Sequence, residues 1–374
     1  MRDEAPSLAE YPGIRTIFTH EYIGEYCSSR RPIKDTFWAI LCANDQHLVG
    51  YRAQIDSLIS DALRRGLLDD DVRDRLRSTQ FQTRSSALAE LEAGYFLASR
   101  GISYTPRPSG RTARTGDFEC VTNPPVFVEV KAIYDRSEER AGSRLSSSIW
   151  DITQECLESS PQSVLVSTRV KTQAAFSERH FRAWLRKTLD GIRPPAVVEY
   201  RSESGLSLEM RMEHSPLSTK AAAQMQGGFG GWSKDDFYIK ASVTKAYEQL
   251  PDDGRPSLVI LRSFQYLPVT HDSFLDALFG HEVLSIPHDG RGTLYPDRAR
   301  NTREPDGFFS PRNHKRCAAV GHLRANRGET AFEYALTLYH NPYARNPLDE
   351  DTFTLSDIRQ LVPHGGQMRW LDDV

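Results

Sequence analysis

Two carboxylates and a lysine lie on two short apolar segments near the middle of the chain. Asp117 belongs to the segment 116–121, and Glu129 and Lys131 belong to the segment 126–131. If both segments are strands of a hairpin, side-chain alternation places these three residues on one face. Carboxylate oxygens are hard ligands of the kind that Mg²⁺ and Mn²⁺ prefer. The spacing therefore predicts a divalent-metal site with an amine beside it.

The remaining residues of the two segments support this hairpin. The opposite face is apolar throughout; its residues are Phe118, Cys120, Val126, Val128 and Val130. Residues 122–125, Thr-Asn-Pro-Pro, are typical of the connecting turn. We expect Asp117 and Glu129 to hold the metal with the carbonyl of Val130, and Glu119 is a candidate for a second ion. Lys131 could act through its charge or, with a lowered pKa, as a base, and the sequence leaves both open.

The order of elements around the hairpin follows a recognisable scheme. A helix over about 84–100 leads to a strand at 102–107, then to the two motif strands. A further helix at about 144–159 and a strand at 163–170 follow. An Asp followed about a dozen residues later by Glu-x-Lys, within this order, resembles the PD-(D/E)XK nucleases. The resemblance covers roughly 90 residues, and Gly116 stands where the family usually has proline.

The resemblance implies a fold for the core, and the residue pattern on either side of it divides the rest of the chain. We expect an α/β protein with a restriction-endonuclease-like mixed-sheet core of order αβββαβ, flanked by helices. Residues 1–80 would form an N-terminal helical lobe and residues 81–190 the nuclease core. Residues 191–374 would form an α+β region that extends the core sheet or docks on it. Within the first of these regions, Asp69 and Gly66 are typical of a helix start and a helix end.

Members of this family commonly add a carboxylate from the first helix. Glu90 and Glu92 both qualify, but they lie about 200° apart on a helix, so only one can face the site. Glu92 stands nine residues before Gly101, as in the archaeal Holliday-junction resolvases of this family, and is the preferred candidate. Gln154 resembles a glutamine of some branches, although Glu158 stands where its accompanying tyrosine would be.

Composition restricts the partners. The net charge of the 374-residue chain is −3, which argues against coating nucleic acid through bulk charge. Local basic residues would have to contact phosphate; the candidates are Arg144, Lys171, Arg186 and Lys187. The five cysteines show no paired spacing, so the sequence predicts neither a disulfide framework nor a zinc knuckle. The chain has no run of 18 apolar residues and no signal-like start, so we expect a cytoplasmic protein without a membrane partner.

The function implied by the resemblance is hydrolysis of phosphodiester bonds. We expect a Mg²⁺- or Mn²⁺-dependent endonuclease that cleaves DNA, with restriction or anti-phage defence as its context. An RNA-cleaving nuclease, or a non-catalytic protein that binds nucleic acid or a partner through the same fold, is the alternative. We also expect a homodimer, because two sites related by a two-fold axis cut both strands most simply. A regulatory protein partner is a further expectation.

Overall fold

The computed structural model describes most of the chain in several stretches. These are residues 8–29, 36–42, 44–106, 117–134, 145, 148–150, 152–153, 155–157, 159, 164–172, 174, 176–214, 222–225, 235–264, 269–286 and 299–373. The backbone divides into two units, Met1–Tyr134 with Lys234–Val374, and Asp135–Ser233. The second unit is thus an insertion in the sequence of the first.

Helices of the first unit precede most of its strands. They are α1 Pro12–Ile17, α2 His20–Ser29, α3 Thr36–Cys42, α4 Val49–Arg64, α5 Asp70–Arg77, α6 Phe81–Ser99, α8 Asp235–Gln249 and α9 His271–Phe279, with short 3₁₀ helices at Gln46–Leu48, Glu350–Phe353 and Leu371–Asp373. Asp69 caps α5, since its side chain accepts from the Val72 N–H at 2.9 Å. Gly66 has a φ of 72° in the preceding turn, where glycine meets little steric cost. Both features were predicted from the sequence.

Ten strands complete the described part of the first unit. They are β1 Tyr104–Pro106, β2 Phe118–Cys120, β3 Val126–Ile133, β8 Ser257–Ser263, β9 Glu282–Ser285, β10 Arg300–Arg303, β11 Cys317–Arg327, β12 Phe332–His340, β13 Ile358–His364 and β14 Gln367–Trp370. Strands β9 and β10 form a two-stranded ribbon. The other eight form one sheet in the order β1-β2-β3-β8-β11-β12-β13-β14.

The centre of the eight-stranded sheet is parallel and buried. Strands β3, β8 and β11 run parallel to one another, whereas β1, β2 and β3 form an antiparallel meander. Strands β3 and β8 and the first seven residues of β11 are almost entirely buried, the pattern expected where helices cover both faces of a sheet. The architecture is therefore mixed α/β, as the sequence predicted.

Each face of this sheet has its own hydrophobic core. One core joins the N-terminal helices and α6 to Val128, Val130 and Ile260. The other joins α8 and α9 to Val259 and Leu261. Because neighbouring residues of a strand point to opposite faces, Glu129 and Lys131 project to the side of the second core. The N-terminal helical region predicted for residues 1–80 is thus part of the packing of this unit.

The second unit carries a separate sheet. Its elements are β4 Val164–Thr172, α7 Glu178–Gly191, β5 Ala196–Arg201, β6 Ser207–His214 and β7 Ala222–Met225, with strand order β5-β6-β4-β7. Strands β5 and β6 form a hairpin, with Gly205 at a φ of 97° in its turn. A third hydrophobic core, which includes Phe181, Leu185 and Met210, lies within this unit.

One expectation about the core is wrong in its last strand. The predicted strand at 163–170 forms as β4, but it pairs with β6 and β7 and not with the motif strands. The neighbour of β3 is β8, more than 120 residues further along the chain. The units also differ from the predicted divisions at residues 80 and 190, because the sheet of the first unit resumes only after residue 234.

Cysteine usage also differs from the sequence-based expectation. Cys42 is disulfide-bonded, which no spacing pattern predicted. Cys120, Cys156 and Cys317 are free and buried. Of the helices in the described stretches, none combines the length and the hydrophobicity that crossing a membrane requires.

Candidate active site

The β2–β3 hairpin places Asp117 next to the middle of β3. Phe118 pairs with Val128, and continuing this register puts Asp117 opposite Glu129. Two contacts fix Asp117 there: its N–H donates to the Val128 carbonyl at 2.8 Å, and its Oδ2 accepts from the Val130 N–H at 2.7 Å. The carboxylate is thus held by backbone groups of the strand that carries the other motif residues.

Glu129 and Lys131 form an ion pair on the same face of β3. The Glu129 side chain is 1% exposed and that of Lys131 is 26% exposed. Lys131 Nζ donates to Glu129 Oε1 and lies 3.4 Å from Oε1 of Gln249, the last residue of α8. The amine is therefore accessible at one side of a buried acidic residue.

Glu90 of α6 is a third buried carboxylate, and its charge interacts with those of the hairpin residues. Arg75 of α5 holds it through two hydrogen bonds, of 2.6 and 2.8 Å, and Asp71 accepts from the same guanidinium at 2.8 Å. Burial raises the Glu90 pKa to about 7 against the effect of Arg75, and the charge of Asp117 adds to the rise. The charge of Lys131 lowers the pKa of Glu90, so Glu90 interacts electrostatically with the hairpin residues.

Burial and mutual repulsion destabilise the ionised form of the hairpin carboxylates. The pKa of Asp117 is raised to about 7, first by burial and then by the charge of Glu129, while Lys131 opposes the shift. Burial likewise raises the pKa of Glu129, and Glu90 adds to the rise. When ionised, these three carboxylates outnumber the two neighbouring cations, Lys131 and Arg75. The site therefore has an excess of buried negative charge, which favours a bound cation.

Lys131 stays protonated in this environment. Burial alone lowers its pKa, but the charges of Glu129 and Asp117 outweigh burial and raise the pKa above that of an ordinary lysine. Of the two roles that the sequence left open, the metal-free geometry favours a charged hydrogen-bond donor over a base.

Glu92, the preferred helix carboxylate, does not join the site. It is buried in an ion pair with Arg262 of β8, and its Oε1 accepts from the Tyr334 hydroxyl at 3.1 Å. These contacts give no support to the preference for Glu92, and the choice between Glu90 and Glu92 as a catalytic residue stays a prediction. The two glutamates point to different partners, as their angular separation on a helix required.

The other predicted residues fall elsewhere. Glu119 pairs with Arg255 at 3.3 Å and so has a partner other than a second ion. The Val130 carbonyl stays a predicted ligand; its N–H contacts Asp117 and its side chain is in the core. The rest lie in the second unit or outside the described residues: Lys171 pairs with Glu209 and Glu199, Arg186 pairs with Glu155, Lys187 is exposed on α7, and Arg144 and Gln154 are outside the described stretches.

Two residues at the site were missed by sequence reasoning. Arg75 contacts Glu90, which lies 15 residues further along the sequence, and Gln249 contacts Lys131, which lies 118 residues before it. Arg75 stands four residues after Asp71 on α5, a spacing that reads as an ordinary surface ion pair. Nothing local marks Gln249, because only the parallel pairing of β3 with β8 brings α8 to this face.

The donor atoms are of the type that suits a hard divalent cation, but in the metal-free structure they are too widely spaced for one ion to contact all three carboxylates. Glu90, Asp117 and Glu129 offer carboxylate oxygens, the ligands that Mg²⁺ and Mn²⁺ prefer. As a set their oxygens are more widely spaced than 4.8 Å, since among the described residues only a different group meets that limit. Arg75 donates to Glu90, and Lys131 donates to Glu129. In each of these two carboxylates, at least one oxygen therefore already accepts from a cationic side chain.

Comparisons with protein-family models, with curated proteins and with solved structures found no match to this chain.

Proposed function

We propose that this protein is a divalent-metal-dependent nuclease that hydrolyses phosphodiester bonds of DNA. The observation that carries the proposal is the cluster of Asp117, Glu129, Lys131 and Glu90, three carboxylates and an amine with little solvent around them. Buried like charges whose pKa values are raised are costly to a fold, and they concentrate at functional sites.

The element order supports a restriction-endonuclease-like core. Helix α6 is followed by the meander β1-β2-β3, and after the inserted unit α8 leads to β8, which is parallel to β3. This is the αβββαβ order with about 100 residues inserted between the third strand and the second helix. Asp117 directly precedes β2, Glu129 and Lys131 lie on β3, and Glu90 lies on α6, which agrees with the arrangement that the resemblance implies.

Glu90, Asp117 and Glu129 would hold the cation once their side chains move closer together than in the metal-free structure. When bound, the ion would neutralise charge on the phosphate and make a bound water more acidic. The chain supplies the other requirements of the reaction. Lys131 donates hydrogen bonds toward the phosphate or the attacking water, and Gln249 helps to orient the amine.

Digestion assays test the proposal directly. Linear duplex, supercoiled, single-stranded and branched DNA, together with RNA, are incubated with the full-length protein and Mg²⁺ or Mn²⁺. We expect cleavage of at least one DNA substrate that stops with a chelator and falls by at least about 100-fold in Asp117→Asn and Lys131→Ala. Glu119→Gln is the matched control, because this carboxylate lies on the same hairpin but pairs with Arg255; it should keep wild-type activity.

The outcomes separate the alternatives. Cleavage that persists undiminished in both Asp117→Asn and Lys131→Ala would refute the site. Salt-sensitive binding of nucleic acid without turnover by the wild type would favour the non-catalytic alternative, and cleavage of RNA alone would change the substrate class.

A further inference from the structure

A second group of metal-binding side chains lies outside the candidate active site. His281 follows the end of α9, and Glu304 and Asp306 follow the end of β10. One ligand atom of each lies within 4.8 Å of the other two. This group contains an imidazole nitrogen beside two carboxylates, a donor set that zinc uses in proteins.

Backbone contacts hold the two segments together at this point. The Glu304 N–H donates to the His281 carbonyl at 2.9 Å, and the His281 N–H donates to Asp306 Oδ1 at 3.2 Å. Gly280 has a φ of 92°, and a Cβ there would lie 1.9 Å from the Glu304 carbonyl oxygen. A Cβ on Gly307 would lie 2.5 Å from the Gly280 nitrogen. The close approach therefore requires both glycines, and it positions the three side chains through the backbone.

The His281 ring is oriented from both sides. Its Nδ1 lies 2.9 Å from Asp306 Oδ2, and its Nε2 lies 3.2 Å from Oδ2 of Asp236 in the first turn of α8. A histidine that binds a metal commonly donates its other ring N–H to a carboxylate, which fixes the tautomer and the ring orientation. Asp236 is placed for that second role at Nε2, and Nδ1 faces Asp306.

The charges around the group also suit a dication. Asp236, Glu304 and Asp306 contribute three negative charges, and Lys240 donates to the Asp306 carbonyl oxygen. Arg303, which donates to the Gly280 carbonyl, adds a second cation, and its partners Asp276 and Glu282 add two carboxylates. With a neutral imidazole, the carboxylates still outnumber the two cations. In the metal-free protein, the hydrogen bond to Asp306 raises the pKa of His281, so that a proton partly compensates this charge.

We propose that Nδ1 of His281 and the carboxylates of Glu304 and Asp306 bind a divalent transition metal of the zinc class, with Asp236 orienting the imidazole. The ion would join the ends of α9 and β10 and, through Asp236, the first turn of α8. It is separate from the candidate active site, because none of these residues contributes to the Asp117 cluster. Its role is structural, since α8 packs on β3 and ends at Gln249 beside Lys131.

Zinc titration of the full chain tests the site. Chelator-treated protein is titrated with Zn²⁺ in competition with a chromophoric chelator, in the Asp117→Asn background so that the candidate active site contributes less. We expect one tight equivalent, weakened at least about 100-fold by His281→Ala and by Glu304→Gln. His47→Ala is the matched control, because it removes an exposed histidine elsewhere in the same unit; it should bind zinc as the background protein does.

Two further measurements make the result decisive. Asp236→Asn keeps all three proposed ligand atoms and should weaken zinc by about 10- to 100-fold, an effect specific to an orienting carboxylate. Co²⁺ in place of Zn²⁺ should give visible absorption bands that disappear in Glu304→Gln, whose backbone N–H still bonds to His281.

The same zinc affinity in folded His281→Ala and Glu304→Gln as in the background protein would overturn the assignment. So would the absence of a tight equivalent in the background protein itself. If His281→Ala does not fold, Glu304→Gln decides, because the side chain that it changes is exposed. The readout is metal binding and not cleavage, so the result is independent of the proposed nuclease activity.

Discussion

At the scale of single residues, the acidic cluster has a cost in stability. Asp117 is partly buried, faces Glu129 and has a pKa of about 7, so its ionisation is less favourable in the folded protein than in the unfolded chain. Below about pH 4 the carboxyl is protonated in both states. Between about pH 4 and 7 the unfolded chain releases its proton first, so this group lowers the free energy of unfolding as the pH rises. Above pH 7 the whole penalty is present.

Asp117→Asn should therefore stabilise the metal-free protein. The amide oxygen can still accept from the Val130 N–H, and the repulsion with Glu129 is removed. In the presence of a chelator, we expect the Tm to rise by on the order of a few degrees at pH 8 and by less at pH 5. Thermal unfolding by circular dichroism measures both values.

The control for this prediction is Glu119→Gln, whose carboxylate pairs with Arg255. This substitution should not raise the Tm at pH 8. A fall in the Tm of Asp117→Asn at pH 8, with chelator present, would contradict the account of the cluster as a strained acidic site. Mn²⁺ should narrow the difference from wild type, because the ion binds the wild-type carboxylates more tightly.

At the scale of elements, α5 is linked to α6 by one contact at the candidate site. Arg75 of α5 donates two hydrogen bonds to Glu90 of α6, and the Glu90 side chain is 11% exposed. Removing the guanidinium leaves a buried carboxylate without its main counter-charge, which is more costly than removing both partners.

A double-mutant cycle measures this coupling. We expect Arg75→Ala to lower the free energy of unfolding by about 3 kcal/mol, and Arg75→Ala with Glu90→Gln to lower it by less. Urea unfolding of the wild type, both single variants and the double variant gives the interaction energy. Additive effects of the two substitutions would show that the pair is not coupled. Arg73→Ala is the control, since this residue pairs with the exposed Asp70 on the same helix.

The local elements at the site were predictable because their patterns are local. Alternation along residues 116–131 gave the hairpin and its polar face, and the helix before it is present as α6. The same periodicity could not choose between Glu90 and Glu92, because α6 is buried on nearly all sides. The choice depends on Arg75 and Arg262, which come from other parts of the chain.

The membership of the sheet was not predictable in the same way. Strand β4 has the apolar pattern of a strand, but such a pattern does not state which partner the strand joins. The structure instead pairs β3 with β8, after an insertion that contains its own sheet. A pairing across more than 120 residues leaves no signal in a local window.

At the scale of the whole molecule, the inserted unit has a hydrophobic core of its own. The two hydrophobic cores of the eight-stranded sheet contain no described residue between 135 and 233. Residues of the insertion instead form the third core, which includes Phe181 and Tyr200. The chain leaves the first unit directly after β3 and returns to it directly before α8. Strand β3 and helix α8 are in contact with each other.

Replacing residues 135–233 by a flexible linker should therefore leave the first unit folded. A linker of about ten Gly and Ser residues spans roughly 17 Å on average, enough to connect neighbouring elements. We expect cooperative thermal unfolding and, if the zinc proposal holds, the zinc equivalent of the full chain, because His281, Glu304, Asp306 and Asp236 all remain.

A matched deletion that removes β8 instead should abolish folding, since β8 pairs with both β3 and β11. Loss of cooperative unfolding in the first variant, with linkers of ten and of twenty residues alike, would show that the insertion is needed for the fold. Retained folding with lost cleavage would assign substrate recognition to the inserted unit.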